Sequence, residues 1–419
     1  MKVYEVFGIS TKVNEASYID RANLDLKIRK YLNRDTHIAL KGASKSGKSW
    51  LRQQCIVDSN TIQCRLGKSV HDIYIEALGN LGIKLIIENS RTSEIKGIVE
   101  ASGEAGFELI AKVTGKTEIE ANRSSTTTYR NLKCDLNNLK FFADLINESR
   151  KKLVIEDFHY LSLENRKQLA FDLKTLWDLG CYVVIIGVWT QSNLLTFLNP
   201  ELTGRIKELS ITWNKEDLRK VLGKGCSNLG IIIDKQIVEE MVTDSFGNVG
   251  ILQTLALNLL DEEGIEENCL IKSNISNKES YKKAAQEYAN QLDGVYQQYA
   301  KVLSNGIRKR RNENSTGIYA YTMKAIVEAS DEILMNGFSR DNIFYITHGW
   351  QPRIQIGNLQ TILRKLEELQ QDSENKTLVI GYDESIDSVF VIDRQLLFYR
   401  KHHTMQWPWE ELIAEENDD

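Results

Sequence analysis

Residues 37–49 read His37-Ile38-Ala39-Leu40-Lys41-Gly42-Ala43-Ser44-Lys45-Ser46-Gly47-Lys48-Ser49, an apolar run followed by the full pattern G-x-x-x-x-G-K-S. The apolar run is typical of a buried β-strand, and the next residues, Trp50-Leu51-Arg52-Gln53, continue as a helix. Glycine lets backbone amides turn inward around phosphate oxygens, and the start of the helix adds its positive dipole end. The pattern therefore predicts a phosphate-binding loop in which residues Gly42 to Trp50 contact a nucleotide.

Two side chains of this loop have predicted chemical roles. Lys48 is expected to reach the β- and γ-phosphates of ATP, and the Ser49 hydroxyl is expected to ligate Mg²⁺. Lys45 lies in the same loop and is expected to be a solvated side chain rather than a second catalytic lysine. ATP and Mg²⁺ are therefore the implied cofactors.

A pair of carboxylates follows another apolar run, Leu153-Val154-Ile155-Glu156-Asp157, downstream of the loop. In such a pair, one carboxylate can hold a metal through water while the other polarises the attacking water. We assign the metal to Glu156 and the role of base to Asp157, and the exchanged assignment stays open. His159 either orients these groups or is a structural histidine.

Apolar β-type runs alternate with helical patterns in the first half of the chain, which predicts an α/β fold with a parallel sheet covered on both faces. The predicted strands are 37–41, 61–65, 152–156, 182–187 and 208–211. The predicted helices are 49–58, 70–81, 139–149 and 163–179. The polar segment 86–129 interrupts this alternation, and we interpret it as an insertion at the rim of the sheet.

The second half of the chain is predicted to be helix-rich. The segment 214–306 has an entirely helical pattern, with helices near 215–222, 235–243, 248–263 and 278–303. The basic run Arg308-Lys309-Arg310-Arg311 and the polar residues after it indicate a boundary. Predicted helices near 319–335, 340–346 and 357–369 and a hairpin of strands 378–381 and 388–392 then follow in the order of a winged helix.

These patterns divide the chain into five predicted parts. They are an N-terminal strap, 1–30; a P-loop core, 31–213, with the insertion 86–129; a helical lid, 214–306; a winged-helix-like domain, 307–401; and an acidic tail, 402–419. The tail ends in Glu415-Glu416-Asn417-Asp418-Asp419 and is expected to lack order.

The composition excludes several classes of protein. With 42% hydrophobic and 26% charged residues the chain is of globular type, and its three prolines exclude a collagen-like chain. No apolar run is long enough to span a bilayer and the first residues lack a signal-peptide core, so we expect a soluble, cytoplasmic protein without a membrane partner. The net charge of −5 argues against a surface that binds nucleic acid throughout, although a local basic face stays open.

Roughly the first three hundred residues resemble the AAA+ ATPases, above all the origin-recognition branch and the neighbouring STAND-type ATPases that bacteria use in defence. The resemblance implies that Arg21, in Tyr18-Ile19-Asp20-Arg21, lies near the adenine and that Thr190 is a polar sensor. It also implies that Arg205, in Leu202-Thr203-Gly204-Arg205-Ile206, completes the active site of a neighbour in a homo-oligomer. The structural alternatives are a helix cap for Arg21, a strand-end turn for Thr190 and a surface ion pair for Arg205.

The chain departs from this family in the lid. Gly247-Asn248-Val249-Gly250 lacks the arginine that the family commonly has after Gly-Asn. Closure of the lid around a nucleotide is therefore in doubt, or it relies on another cation such as Lys224.

The predicted helix 357–369 has an apolar stripe of leucines and isoleucine that indicates a core-facing side. Its other side carries Asn358, Thr361, Arg364 and Lys365, which are able to contact bases or phosphates of double-stranded DNA. The following loop carries Asp383, Glu384 and Asp387, whose charge repels a phosphate backbone. DNA binding and a protein-interaction or autoinhibitory role are both left open for 307–401.

These observations predict an ATP-binding molecular switch that hydrolyses ATP slowly and whose nucleotide state controls oligomer assembly and the binding of DNA or of a partner. The alternative is a signalling or antiviral-defence ATPase that regulates a separate effector protein without binding DNA. A third possibility is that the nucleotide is only a structural ligand.

Overall fold

Five parallel strands form the central sheet of the computed structural model, and we number them β1 to β5 in chain order. They are His37–Gly42, Ser59–Gln63, Lys152–Glu156, Val184–Gly187 and Ile206–Ile211. Their order across the sheet is β5-β1-β4-β3-β2. The predicted parallel sheet is confirmed, and the strand ends differ from the predicted ones by at most two residues.

The structure describes residues 1–87, 96–101, 103–114, 122–124, 127–129, 132–135, 139–306, 316–371, 378–403 and 405–417. No helix in these ranges has the length and apolar character that a bilayer span requires.

Helices cover both faces of the sheet because alternate residues of each strand point to opposite sides. Ile38 and Leu40 of β1 pack with Leu51 on one face, whereas Ala39 and Ile62 belong to the hydrophobic cluster on the other face. The helices of this core are Leu24–Leu32, Lys48–Cys55, Val70–Gly79, Leu139–Glu148, Leu163–Asp178 and Leu194–Leu198. The parallel direction brings the segments that follow β1, β3 and β4 to one edge of the sheet.

The segment predicted as an insertion contains a sheet of its own. Strands Ile83–Ile87, Lys96–Ala101 and Leu132–Asp135 pair antiparallel and are separate from the central sheet. Helix Gly103–Thr114 and the hairpin Asn122–Ser124 with Thr127–Tyr129 lie between the second and third of these strands in the sequence. The remaining residues of the segment lie outside the described part of the chain.

The lid is not entirely helical, so that prediction is wrong at one place. Strands Ile231–Ile233 and Ser273–Ile275 form a parallel pair between the lid helices. Gly230 ends the preceding helix with a left-handed φ of 67°, and three consecutive β-branched isoleucines then favour extended backbone. The lid helices are Lys215–Leu229, Lys235–Asp244, Val249–Glu262 and Lys278–Asn305.

The C-terminal part combines helices with a small antiparallel sheet. Its helices are Ile318–Glu328, Asp331–Asn336, Arg340–Trp350, Ile356–Gln371, Gln395–His402 and Pro408–Asn417. Its strands are Phe338–Ser339, Ile380–Asp383 and Ser388–Val391, with the last in the middle. The predicted helix 319–335 is two helices, because the Ser330 hydroxyl accepts from the Ile333 amide and starts a new helix. The winged helix stays a prediction.

The lid and the C-terminal part share one hydrophobic cluster, which also takes in the N-terminal helix Val3–Phe7. Tyr288 and Tyr296 of the long lid helix contact the rings of Phe398 and Tyr399 at centroid distances of 4.9 and 5.2 Å. A movement of either unit therefore disturbs the packing of the other.

The tail does not lack order over its described residues, so the expectation is wrong there. It forms helix Pro408–Asn417, and Trp409 is fully buried in the shared cluster. The rings of Trp407 and Trp409 stack at 4.6 Å. Burial of two indoles outweighs the acidic character of this segment.

Asp244 of the lid connects helix Gln395–His402 to the lid by hydrogen bonds. Its buried carboxylate accepts from the Tyr281 hydroxyl at 2.7 Å, from Lys401 and from His402. Burial alone would raise the pKa of Asp244, but the hydrogen bonds from His402, Lys401 and Tyr281 outweigh it and lower the pKa below its ordinary value of 3.8.

We expect Asp244→Ala to lower the free energy of unfolding by about 3 kcal/mol, because three donors lose their acceptor in a buried place. The contribution of Asp244 is fully present above the ordinary carboxyl pKa and is lost as the pH falls through the lowered one. Thermal unfolding measured at neutral pH and near pH 3 tests both statements. Glu262→Ala is the control, since Glu262 is exposed on the neighbouring helix; equal effects of the two substitutions would contradict the prediction.

Candidate nucleotide-binding site

The predicted phosphate loop lies between β1 and the helix Lys48–Cys55, as its sequence requires. Gly47 has a φ of 81° and Lys45 a φ of 58°, so the chain makes two left-handed turns before the helix begins. Glycine adopts this conformation without strain, which explains its place directly before Lys48.

The carbonyls of the loop point away from its interior because groups outside the loop bond them. The Ser44 carbonyl accepts from the Asn248 side-chain amide at 2.7 Å, and the Lys45 carbonyl accepts from the Gly250 amide at 3.2 Å. The Ser46 carbonyl accepts from the Trp213 indole at 3.0 Å. Groups outside the loop thus hold three of its carbonyls, and these bonds fix the path of the backbone around the phosphate-binding position.

Lys48 is buried, and among the described residues its ammonium has only neutral hydrogen-bond acceptors. Its Nζ donates to the carbonyls of Gly42, at 3.1 Å, and Ala43, at 2.6 Å. Burial lowers the pKa of Lys48 to about 8, even though the charges of Asp157 and Glu156 act in the opposite direction. A buried cation without an anionic partner fits a phosphate group, which would supply the missing charge.

A cleft of about 280 Å³ opens at the loop. One of its walls carries Asp157 and His159, and another carries residues of the N-terminal strap and of the lid. The full lining consists of Ile9, Ser10, Ser44 to Trp50, Asp157, His159, Tyr160, Val188, Val249, Gly250, Gln253 and Leu378. All predicted loop residues from Ser44 to Trp50 therefore face one cleft, whereas Gly42 and Ala43 lie beside it.

The N-terminal strap is fixed to the loop helix. The Trp50 indole donates to the Ser10 carbonyl at 2.9 Å, and the Gln53 amide donates to the Thr11 carbonyl at 2.7 Å. These contacts hold Ile9 and Ser10 at the edge of the cleft.

Arg21 lies behind the loop rather than in the cleft lining. Its guanidinium stacks on the Trp213 ring at 4.3 Å and donates to the Ser46 carbonyl at 3.4 Å. Burial lowers its pKa, against the charges of Tyr18, Asp25, Asp20 and Asp217. The structure thus shows Arg21 as a support of the loop, and its predicted adenine-side role stays a prediction.

The two carboxylates after β3 have different surroundings. Glu156 pairs with Arg52 of the loop helix at 3.2 Å and is not part of the cleft lining. Asp157 follows with a left-handed φ of 56°, accepts from the Gln63 amide at 2.9 Å and lines the cleft. The structure therefore brings Asp157, Lys48 and Ser49 to the same cleft.

His159 is a neutral imidazole at this edge of the sheet. Burial, aided by the positive charges of Lys48 and Arg166, lowers its pKa to about 3. Its Nδ1 accepts from the Val188 amide at 3.3 Å, so the ring links the segment after β3 to the segment after β4.

Three other predicted residues lie away from this cleft. Thr190 lines a second cavity of about 220 Å³ between the loop and the C-terminal sheet. Arg205 precedes β5, at the amino-terminal ends of the strands and thus at the end of the sheet opposite the loop. It lies over the Trp177 ring at 4.9 Å and donates to the Glu201 carbonyl at 2.6 Å. Lys224 donates to the Tyr18 carbonyl at 2.8 Å. Their roles stay predictions.

The sequence analysis missed two loop contacts. Asn248, buried at the start of a lid helix, bonds the loop through its side chain, and its Gly-Asn context was the only available signal. Gln395, from the C-terminal part, accepts a hydrogen bond from Lys45 Nζ at 2.7 Å. No local sequence pattern indicates that contact.

A five-stranded parallel sheet with this loop after β1 and carboxylates after β3 defines a P-loop nucleotide-binding protein of the ATPase fold. One solved structure agrees with that fold. The Walker-type ATPase of Pyrococcus abyssi is similar over 94% of this chain and 99% of its own, with 15% identity and a TM-score of 0.55. The ORC1 protein of Aeropyrum pernix, solved in complex with DNA, matches 99% of this chain and 97% of its own at 12% identity and a TM-score of 0.42.

A STAND protein with a tetratricopeptide repeat sensor, from Pyrococcus horikoshii, matches 96% of this chain and 44% of its own, with 13% identity and a TM-score of 0.37. No protein-family model and no curated protein matches the chain. The predicted P-loop ATPase class is confirmed at the level of the fold.

We expect the affinity for ATP to fall by up to about tenfold per pH unit above pH 8, because the empty site then holds neutral Lys48, which must gain a proton to bind phosphate. Below that pH the ammonium is fully charged and this contribution is constant. Titration with fluorescently labelled ATP between pH 7.5 and 9.5 measures the effect. Lys167→Gln removes an exposed lysine from helix Leu163–Asp178 and should leave the dependence of ATP affinity on pH unchanged. An ATP affinity of the native chain that does not change with pH would contradict the prediction.

Proposed function

We propose that this protein binds Mg-ATP in the cleft at residues 44–50 and hydrolyses it slowly, as a molecular switch. The buried ammonium of Lys48, bonded only to two loop carbonyls in the described part of the chain and lining the cleft, is the observation that carries this proposal. The triphosphate lies along the loop, and the base lies against Ile9 and Val249, which form the apolar wall of the cleft. The fold similarity supports the proposal.

The donor set at the cleft fits a hydrated magnesium ion. The Ser49 hydroxyl would hold the ion directly, and a carboxylate after β3 would hold it through water. The ion would neutralise charge on the phosphates. Asp157 lines the cleft, which supports the proposal that it accepts a proton from water. Glu156 pairs with Arg52 outside the cleft lining and keeps the proposed metal role.

The switch character rests on contacts between the C-terminal part and the edge of the sheet that carries the cleft. Leu378 and Ile392 form a small apolar cluster with Val188, the residue after β4. Arg166 also approaches Glu367 of the C-terminal helix at 3.8 Å. A switch requires that the nucleotide bind differently in two states. We propose that the C-terminal part contacts this end of the sheet in one state and leaves it in the other.

We favour a protein effector over DNA as the partner of the switch. Arg364, the central cation on the exposed side of helix Ile356–Gln371, pairs with Glu384 of the hairpin at 3.1 Å. Arg340 likewise pairs with Asp387 at 3.2 Å. Acidic groups thus lie beside two of the basic side chains that a DNA backbone would need, whereas the basic run 308–311 lies outside the described residues. A role in signalling or defence through a separate effector follows as the proposal.

Duplex DNA is the second candidate partner. The order of helices and strands in the C-terminal part and the exposed polar side chains of Asn358 and Thr361 favour it. Assembly into a homo-oligomer through Arg205 is proposed alongside either partner, since Arg205 lies at the far edge of the sheet from the loop.

We expect Asp157→Asn to lower the rate of ATP hydrolysis by about a hundredfold or more while ATP binding persists, because the proton acceptor is lost. Glu156→Gln should instead raise the Mg²⁺ concentration that gives half the maximal rate. Phosphate release followed during a Mg²⁺ titration separates the two. The opposite pattern would exchange the two roles, and unchanged phosphate release in both variants would make the nucleotide a structural ligand.

We expect no mobility shift of duplex DNA with this protein at low salt, with or without ATP, because carboxylates pair with Arg340 and Arg364 and repel a phosphate backbone. Glu384→Gln frees Arg364 and serves as the comparison. A shift of the native chain whose affinity falls steeply with added salt would contradict the prediction and establish DNA as the partner.

A further inference from the structure

Lys45 is a loop residue whose side chain leaves the loop and reaches the C-terminal part. Its left-handed backbone turns the side chain outward while the residue still lines the cleft. The ammonium donates to Oε1 of Gln395 at 2.7 Å. Lys45 is exposed, as the sequence suggested, and its ammonium also has an acceptor in the C-terminal part.

Gln395 is fixed in the orientation that presents this oxygen. The residue is 6% exposed, and its Oε1 also accepts from the Tyr288 hydroxyl at 2.7 Å. Its Nε2 donates to both oxygens of Asp393 at 3.2 Å. Since a carboxylate only accepts, the amide nitrogen faces Asp393 and the amide oxygen faces Lys45. Asp393 in turn accepts from the Tyr296 hydroxyl at 2.8 Å, so the arrangement is anchored in the long lid helix.

The charge of Lys45 has no anionic partner in the described part of the chain. No carboxylate there lies within 4 Å of its Nζ, and its bonded acceptor is a neutral amide oxygen. An ammonium has three donors, and Gln395 takes only one. The residue is exposed and lines the cleft, next to the loop that would hold a polyphosphate.

We propose that Lys45 is a second phosphate-binding cation and that Gln395 is its positioning residue. This inference rests on the proposed function and deepens it, because the C-terminal part then takes part in recognising the phosphate tail of the nucleotide. Lys45 bridges Gln395 and a terminal phosphate of ATP. The ligand class is a nucleoside triphosphate, and a monophosphate does not reach Lys45.

The first test compares nucleotides in the full chain by displacement of fluorescently labelled ATP. Lys45→Met should weaken ATP binding about tenfold, as expected for the loss of one charge-assisted hydrogen bond, and leave AMP binding unchanged. Lys167→Met removes an exposed lysine from the same domain and should change neither affinity. Equal weakening of ATP and AMP by Lys45→Met, or no weakening of either, would overturn the proposal.

The second test asks whether Gln395 acts through Lys45. Gln395→Met should reduce the preference for ATP over AMP, and it should have no further effect on that preference when Lys45 is already Met. A merely structural role of Gln395 would lower the unfolding temperature and weaken both nucleotides equally in both backgrounds. That additive result would remove Gln395 from the proposal.

A third variant separates failure of this inference from failure of the proposed function. Lys48→Ala should abolish ATP binding whatever Lys45 does. If Lys48→Ala keeps full ATP affinity, the proposed function itself is wrong. If only the Lys45 and Gln395 results fail, the site stands and the second cation does not.

Discussion

The site depends on one physical constraint, the burial of the Lys48 ammonium away from water. A buried ammonium is unfavourable unless strong acceptors surround it, and two carbonyls of the loop supply only part of what water supplied. The burial follows from the turn into the helix directly after β1, so the fold itself holds the cation in place. The carboxylates of Glu156 and Asp157, at the end of β3, raise the pKa of Lys48 by their charge but form no ion pair with it.

The loop keeps its shape because other parts of the chain hold it. Asn248 and Gly250 bond it from the lid, Trp213 from the segment after β5, and Gln395 from the C-terminal part through Lys45. The lid and the C-terminal part pack around one hydrophobic cluster. A change at the loop would therefore act on a unit that spans both, and the proposed switch would depend on this connection.

The sequence predicted the central sheet and the loop well because both depend on local patterns. Buried parallel strands are short apolar runs, and the glycine-lysine spacing is a local requirement of the backbone. The strands at Ile231 and Ser273 were missed because each has only three residues and gains its partner across the lid. The helical tail was missed because its order comes from burial of Trp407 and Trp409, which the acidic composition hides.

Side-chain roles in the site were less predictable than its backbone. Asp157 has a left-handed backbone, and its carboxylate lines the cleft. The carboxylate of the preceding residue, Glu156, pairs instead with Arg52. Gln395 is 350 residues from Lys45 in the sequence, so only the tertiary structure brings the two together. Patterns within a short window carry no information about such a contact.

Three positively charged side chains lie at the loop or directly behind it. Arg21, buried behind the loop, adds a positive charge that further lowers the pKa of Lys48. Lys45 adds a third cation whose partner is neutral. Asp157 and Glu156 offset this charge only in part, since the Lys48 pKa remains lowered. A polyphosphate in the proposed site would face both the Lys48 ammonium and the Asp157 carboxylate, and a divalent cation between phosphate and carboxylate would remove their repulsion. The proposed site would therefore favour a nucleotide that carries a metal ion.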